Sequence, residues 1–212
     1  MRIDIGCGSD KAPGFFGIDR QLLPGVDLVW DLNEAIPLPD NSVDFVMASR
    51  SLPYVQDLHK VMSELYRLCI HKAIVCILSP YAHSFVHMSN PYLKQKFDQY
   101  TPRYWTSDFY QPSHGARCPD LAGYVEPQPD FDFRLLRMEL FYKPPYVPPL
   151  YETDELELLQ DIEVNVVHEI MYHLVAVKLN ISHDELEHMS RQTFLEPRSL
   201  EAYRRKRQLE DS

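Results

Sequence analysis

The stretch Met1-Arg2-Ile3-Asp4-Ile5-Gly6-Cys7-Gly8-Ser9, followed by Gly17-Ile18-Asp19, decides how this chain folds. An apolar run enters a glycine loop and a second short run ends in an acid, which predicts strands over 2–5 and 15–19. Open α/β sheets bind ligands outside the carboxyl ends of their strands, and glycine lets the backbone approach a ligand that a Cβ would push away. A carboxylate at the end of the next strand can accept hydrogen bonds from the hydroxyls of a ribose. The stretch therefore predicts a nucleoside-binding loop.

The connection between these two strands is short. About nine residues separate them, and Lys11-Ala12-Pro13-Gly14 is a turn sequence. A parallel crossover usually needs a dozen residues or more and a helix, so the spacing alone leaves an antiparallel hairpin open. The two alternatives predict opposite relative directions for the strands.

Composition and charge limit the function classes. The 212 residues are 45% hydrophobic and carry a formal net charge of −10, which predicts a single globular domain over 1–212 and disfavours a nucleic acid held mainly through its phosphates. Four cysteines without a C-x-x-C pair predict reduced thiols and a cytoplasmic location. With no signal peptide and no apolar run of about 18–20 residues, we expect no membrane partner. The oligomeric state stays open, and a homodimer is one alternative.

The next segments predict a mostly parallel sheet. Runs over 26–32, 43–49 and 73–78 have the composition of strands, and apolar residues at helical spacing predict an amphipathic helix over 56–69. The resulting order of strands and one helix suits a mostly parallel sheet. Thr106-Ser107-Asp108 predicts the start of a short helix.

Two further strands and a helix follow. Residues 131–142 alternate as a strand, with a phase slip at Leu135-Leu136 that predicts a bulge. Residues 169–179 are apolar on both faces, which predicts a buried strand. The pattern Ser182-x-x-Glu185 is typical of a capping box and opens a carboxyl-terminal helical tail over 182–212.

Two common nucleotide motifs do not match. Only Gly6-x-Gly8 of a dinucleotide fingerprint is present, without a following helix, and Asp19 comes too early for its ribose acid. The phosphate-loop pattern G-x-x-x-x-G-K-[ST] is absent.

Over residues 2–105 the chain resembles class I S-adenosylmethionine-dependent methyltransferases. The motifs that carry the resemblance are Asp4-Ile5-Gly6-Cys7-Gly8, Gly17-Ile18-Asp19, Val26-Asp27, Asp31-Leu32, Leu38-Pro39-Asp40-Asn41-Ser42-Val43-Asp44 and Ser79-Pro80. It looks like the small-molecule or glycan-type branch, in which Gly-Cys-Gly is followed by x-x-Lys and the first helix is reduced to a loop. The resemblance implies parallel first strands and an α/β, Rossmann-like seven-stranded sheet whose last strand runs antiparallel between the fifth and sixth.

The resemblance also implies a cofactor site for S-adenosylmethionine. Its residues would be Asp4, Gly6, Cys7, Gly8, Lys11, Asp19, Arg20, Asp31, Leu32 and Ser49. Asp19 would bind the ribose, Asp31 and Leu32 the adenine, Ser49 would lie near the sulfonium, and Lys11 would pair with the cofactor carboxylate. The alternative for Asp19 and Asp31 is an ordinary strand-end turn acid.

The candidate catalytic residues are Tyr54 and His83. Methyl transfer depends mostly on alignment, and a general base matters only if the acceptor loses a proton. Many relatives carry Glu-His after the fourth strand, where this chain has Pro53-Tyr54. His83 follows the fifth strand, where acceptors bind in this family; the alternative is a loop histidine bonded to solvent. With His87 it lacks a third ligand, so no metal is predicted.

Residues 81–123 and 143–168 are expected to be lid insertions on the acceptor side, and aromatic residues between 92 and 110 could line the acceptor pocket. The expected function is methyl transfer to a small-molecule or glycan-like acceptor. The alternatives are a non-catalytic cofactor-binding or interaction protein on the same fold and, third, a methyltransferase of nucleic acid or protein amines, which the acidic charge disfavours for nucleic acid.

Overall fold

The protein, studied as a computed structural model, is described over residues 1–120, 129–147, 150–201 and 203–204. Seven strands form one sheet. The strands are β1 (Arg2–Ile5), β2 (Phe16–Asp19), β3 (Leu28–Val29), β4 (Val43–Ser49), β5 (Cys69–Pro80), β6 (Phe133–Tyr142) and β7 (Val167–Ala176). The α-helices are α1 (Leu58–Leu68), α2 (Phe85–Ser89), α3 (Thr153–Ile162) and α4 (His183–Ser190), and short 3-10 turns cover Leu52–Tyr54, Thr101–Trp105 and Arg198–Leu200.

The strand order is β3-β2-β1-β4-β5-β7-β6. Strands β1 to β5 pair in parallel, whereas β7 is antiparallel to both of its neighbours, β5 and β6. This arrangement confirms the α/β, Rossmann-like sheet with an antiparallel last strand between the fifth and sixth. Ile3 pairs with Phe16 and Ile5 with Ile18 in parallel register, so the amino-terminal stretch does not form a hairpin.

A loop without a helix joins β1 to β2. The Asp4 carboxylate accepts a hydrogen bond from the Ala12 N–H at 2.8 Å, which folds the loop back over the end of β1. Asp27 accepts from the Gly17 N–H at 2.7 Å and thereby holds the start of β2. These bonds replace the helix that usually makes a parallel crossover.

Several predicted boundaries differ from the structure; the strand expected over 169–179, for example, is β7 over Val167–Ala176. The strand expected over 26–32 is only two residues long, because β3 is an edge strand with β2 as its neighbour. The fifth strand begins at Cys69 rather than 73, and its exposed start, with Lys72 at φ +66°, hides the strand pattern. The helix predicted from Thr106 is wrong: a 3-10 turn precedes it, and the Thr106 hydroxyl instead bonds the Asp132 carboxylate at 2.6 Å.

The amphipathic helix is confirmed as α1. Asp57 accepts a hydrogen bond from the Lys60 N–H at 3.0 Å and caps its first turn. The apolar side of α1 is buried on one face of the sheet through Val61, Met62, Leu65 and Leu68.

The opposite face of the sheet is covered differently. Alternate side chains of the strands point to this face, where Phe45, Met47, Cys76, Leu78, Phe141 and Met171 form a second apolar cluster. Because no helix follows β1, this cluster is covered by Ala12 and Phe15 of the loop and by Leu200 near the carboxyl terminus. The carboxyl-terminal turn (Arg198–Leu200) therefore lies on the face of the sheet where the first helix is missing.

Other predicted local features are present. The register between β6 and β7 shifts between Leu135 and Arg137, which confirms the bulge. The Ser182 hydroxyl accepts from the Glu185 N–H at 3.2 Å and begins α4. Of the predicted tail over 182–212, residue 202 and residues 205–212 lie outside the described residues, as do 121–123 and 148–149 of the two predicted lid insertions.

The four cysteines are buried and free, as the sequence predicts. In the described ranges, no helix combines the length and the apolar character needed to cross a bilayer.

Candidate cofactor-binding site

The glycine loop turns tightly at the carboxyl end of β1. Gly6 has φ +61° and Gly8 has φ +55°, both in the left-handed region that glycine adopts without steric cost. The Gly6 N–H donates to the Ile18 carbonyl at 2.7 Å. A Cβ on Gly6 would lie 2.3 Å from the Ser51 Cβ, whereas a Cβ on Gly8 would meet no atom within 4 Å. The space beside Gly8 is thus open to a ligand.

Asp19 is held at the end of β2 by backbone groups. Its Oδ2 accepts from the Gly8 N–H and its Oδ1 from the Gln21 N–H, both at 2.9 Å. Each carboxylate oxygen has a further lone pair that can accept a hydroxyl hydrogen. This geometry suits the predicted binding of ribose hydroxyls and is also that of a turn acid. Arg20, the next residue, is exposed.

Asp31 and Leu32 follow β3. Asp31 Oδ1 accepts from the backbone N–H of Asn33 at 2.9 Å and from its side-chain amide at 2.7 Å, so this acid shapes a turn. Leu32 is partly buried against the main apolar cluster. Their predicted role at the adenine stays a prediction.

The acids of the loop change the ionisation of its groups. Asp4 is buried at 3% exposure, and this burial raises its pKa to about 6. The hydrogen bond from the Ala12 N–H favours the ionised carboxylate and lowers the pKa, but by less than burial raises it. Burial, followed by the charges of Asp4 and Asp19, raises the pKa of the Cys7 thiol to about 11. Cys7 is therefore a protonated packing residue at neutral pH rather than a nucleophile.

Lys11 has a partner within the loop. Its Nζ lies 2.7 Å from Asp27 Oδ2, and this hydrogen bond is the largest cause of the lowered pKa of Asp27. The ammonium that the resemblance assigns to the cofactor carboxylate thus faces a carboxylate of the protein in this structure.

A cavity of about 160 Å³ lies beside the loop. Three separate segments line it: Asp4, Gly6, Cys7, Asp10 and Ala12 from the loop, Met47, Ser49 and Arg50 from β4 and its end, and Pro197, Arg198 and Ser199 from the carboxyl-terminal turn. The structure therefore brings four predicted site residues together in one cavity wall, which they share with two arginines: Asp4, Gly6, Cys7 and Ser49.

Arg50, which the sequence reasoning missed, directly follows the last residue of β4. It has φ +56°, a conformation that non-glycine residues seldom adopt, and such backbone strain clusters at functional sites. Its guanidinium bonds the Glu169 carboxylate twice, with Nη2 to Oε2 at 2.7 Å. Its place after a strand end was the only signal in the sequence.

Arg198 was also missed. Its Nη1 lies 3.2 Å from Asp10 Oδ1, although the two residues are far apart in the sequence. No local pattern predicts such a contact.

S-adenosylmethionine has two cationic groups and one carboxylate, and the residues present fit these charges. Asp4 and Asp10 suit cations, and the two guanidinium groups suit a carboxylate. The Ser51 hydroxyl beside the loop is buried and has no hydrogen-bond partner in this structure, which fits a polar ligand.

The two candidate catalytic residues lie beyond the ends of β4 and β5. Tyr54 is 41% exposed, and His83 is exposed with its ring edge-on to Tyr81 at 5.6 Å. Neither side chain forms a hydrogen bond within the part of the chain that is described. Their catalytic roles stay predictions. His87 lies in α2, and burial is the main cause of its lowered pKa.

A second, more open depression of about 510 Å³ lies between the start of α1 and residues 96–105. It shares no lining residue with the cavity at the glycine loop. The aromatic residues predicted to line an acceptor pocket are divided: Tyr104 lines this depression and is half-exposed, whereas Phe97 is buried against Trp105 and Tyr172. The described residues contain no group of three or more metal-ligating side chains.

Comparisons with known proteins agree with this fold. Residues 7–77 match the methyltransferase domain family. Among curated proteins, none matches this sequence. An S-adenosylmethionine-dependent methyltransferase from Archaeoglobus fulgidus is similar in fold, with 14% identity over 82% of this chain and 85% of that chain and a TM-score of 0.52. The YcgJ protein of Bacillus subtilis has 10% identity over 84% of this chain and 92% of that chain, with a TM-score of 0.51.

Other similarities are partial. The chain covers 39% of the [4+2]-cyclase SpnF, at 18% identity over 38% of this chain and a TM-score of 0.33. The domain match covers residues 7–77, and the sheet order is that of the class I methyltransferase fold.

Proposed function

We propose that this protein transfers the methyl group of S-adenosylmethionine to a small-molecule or glycan-like acceptor. The observation that carries the proposal is the convergence of the glycine loop, Asp19 and the end of β4 at the carboxyl edge of a parallel sheet. Ligands bind at this edge in open α/β sheets.

The bound cofactor would supply an electrophilic methyl group. The chain would hold it through the open backbone beside Gly8 and through Asp19, and would place it near Ser49. Orientation of this kind supplies much of the acceleration of a displacement. His83 would accept a proton where the acceptor is a hydroxyl or another group that must lose one, and Tyr54 would orient the acceptor.

The surface beyond β5 supports a small acceptor with apolar parts. Phe85 is 63% exposed and Ile162 is 67% exposed. Their segments are joined, because the Phe85 N–H donates to Asn165 Oδ1 at 3.0 Å and the Asn165 N–H donates to the His83 carbonyl at 2.9 Å. We assign the described parts of 81–123 and 143–168 to acceptor-side lids on this basis. The net charge of −10 disfavours a polyanionic acceptor.

The proposal also covers the location of the protein in the cell and its assembly. The free cysteines suit a cytoplasmic location. A homodimer would be detected as a doubled mass in solution by light scattering.

Titration of S-adenosylhomocysteine by calorimetry tests the proposal. We expect binding by the intact protein and roughly 10- to 100-fold weaker binding by Asp19→Ala, since hydrogen bonds to a charged group contribute about 1.5–3 kcal/mol. Asp44→Ala is the matched control, because Asp44 is exposed at the start of β4, where it pairs with the amino terminus at 3.4 Å. No binding by the intact protein would overturn the proposal.

Transfer of a labelled methyl group separates the enzyme from a non-catalytic binder. We expect labelled product with some member of a panel of small hydroxyl, amine and sugar acceptors. Binding of the cofactor without transfer to any acceptor, including RNA and protein, would favour a cofactor-binding protein without catalysis.

A further inference from the structure

We propose that Arg198, in the carboxyl-terminal turn, completes the cofactor site by pairing with the carboxylate at the amino-acid end of S-adenosylmethionine. This inference rests on the proposed function. It concerns a residue at the far end of the chain from the glycine loop, outside residues 7–77 that match the methyltransferase domain family.

The turn has a fixed place beside the cavity. Leu200 is 3% exposed and packs in the cluster with Ala12, Phe15 and Met47. The Ser199 hydroxyl accepts a hydrogen bond from Arg50 Nη1 at 2.9 Å. The turn is thus attached both to the loop that forms the site and to the end of β4.

The chain on either side of the turn is also attached to the sheet. Arg204 bonds Glu139 of β6 with Nη2 to Oε2 at 2.6 Å, and it bonds Glu196 at 2.8 Å. Tyr203 packs edge-on against Phe141 with ring centroids 5.1 Å apart. These contacts hold residues 196–201 and 203–204 across the face that the missing first helix leaves uncovered.

The charges of the cavity single out Arg198. Lys11 is paired with Asp27 and is not among the residues that line the cavity. Arg50 lines it, but its guanidinium already bonds Glu169 and Ser199. Within the described part of the chain, the Arg198 side chain forms one ion pair, with Asp10. Both side chains are at least half exposed, so that pair is weak and easily exchanged. A guanidinium can bond a carboxylate through two parallel N–H groups.

Two ligands distinguish this role from a general effect on the site. S-adenosylhomocysteine contains the amino-acid carboxylate, whereas methylthioadenosine keeps the adenosine and the sulfur but lacks the amino-acid part. We expect Arg198→Gln to weaken the binding of S-adenosylhomocysteine by at least about tenfold and to leave methylthioadenosine within about twofold of the wild type. Arg198→Lys keeps the charge without the planar fork and should give an intermediate loss.

Arg191→Gln is the matched control, because Arg191 is an exposed arginine at the end of α4 that pairs with Glu187 and does not line the cavity. Circular dichroism would establish that each variant is folded. Unchanged binding of S-adenosylhomocysteine by Arg198→Gln, or equal losses for the two ligands, would overturn this inference alone. Failure of the wild type to bind S-adenosylhomocysteine would overturn the proposed function and this inference with it.

Discussion

Arg50 and Glu169 form a bidentate ion pair that joins the carboxyl end of β4 to β7 across the intervening strand β5. The Glu169 side chain is 8% exposed and that of Arg50 is 40% exposed. The Arg50 N–H donates to the Leu78 carbonyl at 2.7 Å, so backbone and side chain both hold this residue at the edge of the cavity. The pair fixes the left-handed conformation of Arg50 beside the cofactor site.

Removal of the guanidinium should destabilise the fold. Arg50→Ala leaves a buried carboxylate without its partner, and we expect a loss of about 2 kcal/mol, below the value for a fully buried pair because Arg50 is partly exposed. Urea unfolding measures it. Arg198→Gln is the comparison, since its ion pair is exposed and should contribute less than about 0.5 kcal/mol. Equal stability of the two variants would contradict the prediction.

Much of the sheet could be predicted from local patterns. The apolar runs that end in Asp19 and Ser49 predict strands, because the apolar pattern of a strand lies within its own consecutive residues. The slip at Leu135-Leu136 locates the bulge because a one-residue insertion reverses the alternation of faces. Spacing alone did not decide between a hairpin and a parallel pair for β1 and β2, and the resemblance to a known family was needed for that.

The cofactor-site residues that were missed depend on contacts between distant segments. Arg198 contacts Asp10, and Arg50 contacts Glu169, only because the tertiary fold brings these distant segments together. Lys11 was assigned to the cofactor from its motif position, but its pairing with Asp27 depends on how the loop folds back. The helix expected at Thr106 was wrong because its hydroxyl bonds Asp132, which is remote in sequence.

Gly6 should tolerate no side chain. In Gly6→Ala the new Cβ would overlap the Ser51 Cβ at 2.3 Å while the backbone keeps φ +61°. We expect a loss of about 2–4 kcal/mol in unfolding free energy, from overpacking and from the left-handed conformation.

The double variant Gly6→Ala/Ser51→Gly separates these two causes. Without the Ser51 side chain the overlap disappears, and a loss of only about 1–2 kcal/mol from the backbone should remain relative to Ser51→Gly alone. Gly8→Ala, at φ +55° with open space around it, should show the same smaller loss. A double variant as unstable as Gly6→Ala would show that contact with Ser51 is not the cause.

Asp4 should lower stability at neutral pH. Its pKa is raised from 3.8 to about 6, mainly by burial, so the folded protein binds this proton more tightly than the unfolded chain does. Stability therefore falls as the pH rises from about 4 to 6, by at most about 3 kcal/mol. Asp4→Asn keeps an acceptor for the Ala12 N–H without the charge.

We expect Asp4→Asn to be more stable than the wild type above pH 6, and the gain should shrink as the pH falls toward 4. The same variant should bind S-adenosylmethionine more weakly at neutral pH, because it removes a negative charge from the wall of the cavity. Urea unfolding at several pH values, together with calorimetric titration, measures both effects. A constant gain from pH 4 to 7 would contradict this assignment of the pKa.

His173 should make the fold sensitive to acid with the opposite sign. It is buried at 1% exposure in β7, its Nε2–H donates to the Leu195 carbonyl at 3.2 Å, and its ring stacks on Phe194. Burial, against the bond to Leu195, lowers its pKa from 6.5 to about 4. The unfolded chain therefore binds this proton more tightly, and stability that is complete above pH 6.5 is lost as the pH falls to 4, by up to about 3 kcal/mol.

His173→Gln should remove this contribution to the slope of the unfolding free energy against pH, and it should also lower the stability at pH 7. His183→Gln is the control, because His183 is exposed, and it should keep the pH dependence of the wild type. If the stability of His173→Gln falls with acid as steeply as that of the wild type, the role of His173 is refuted.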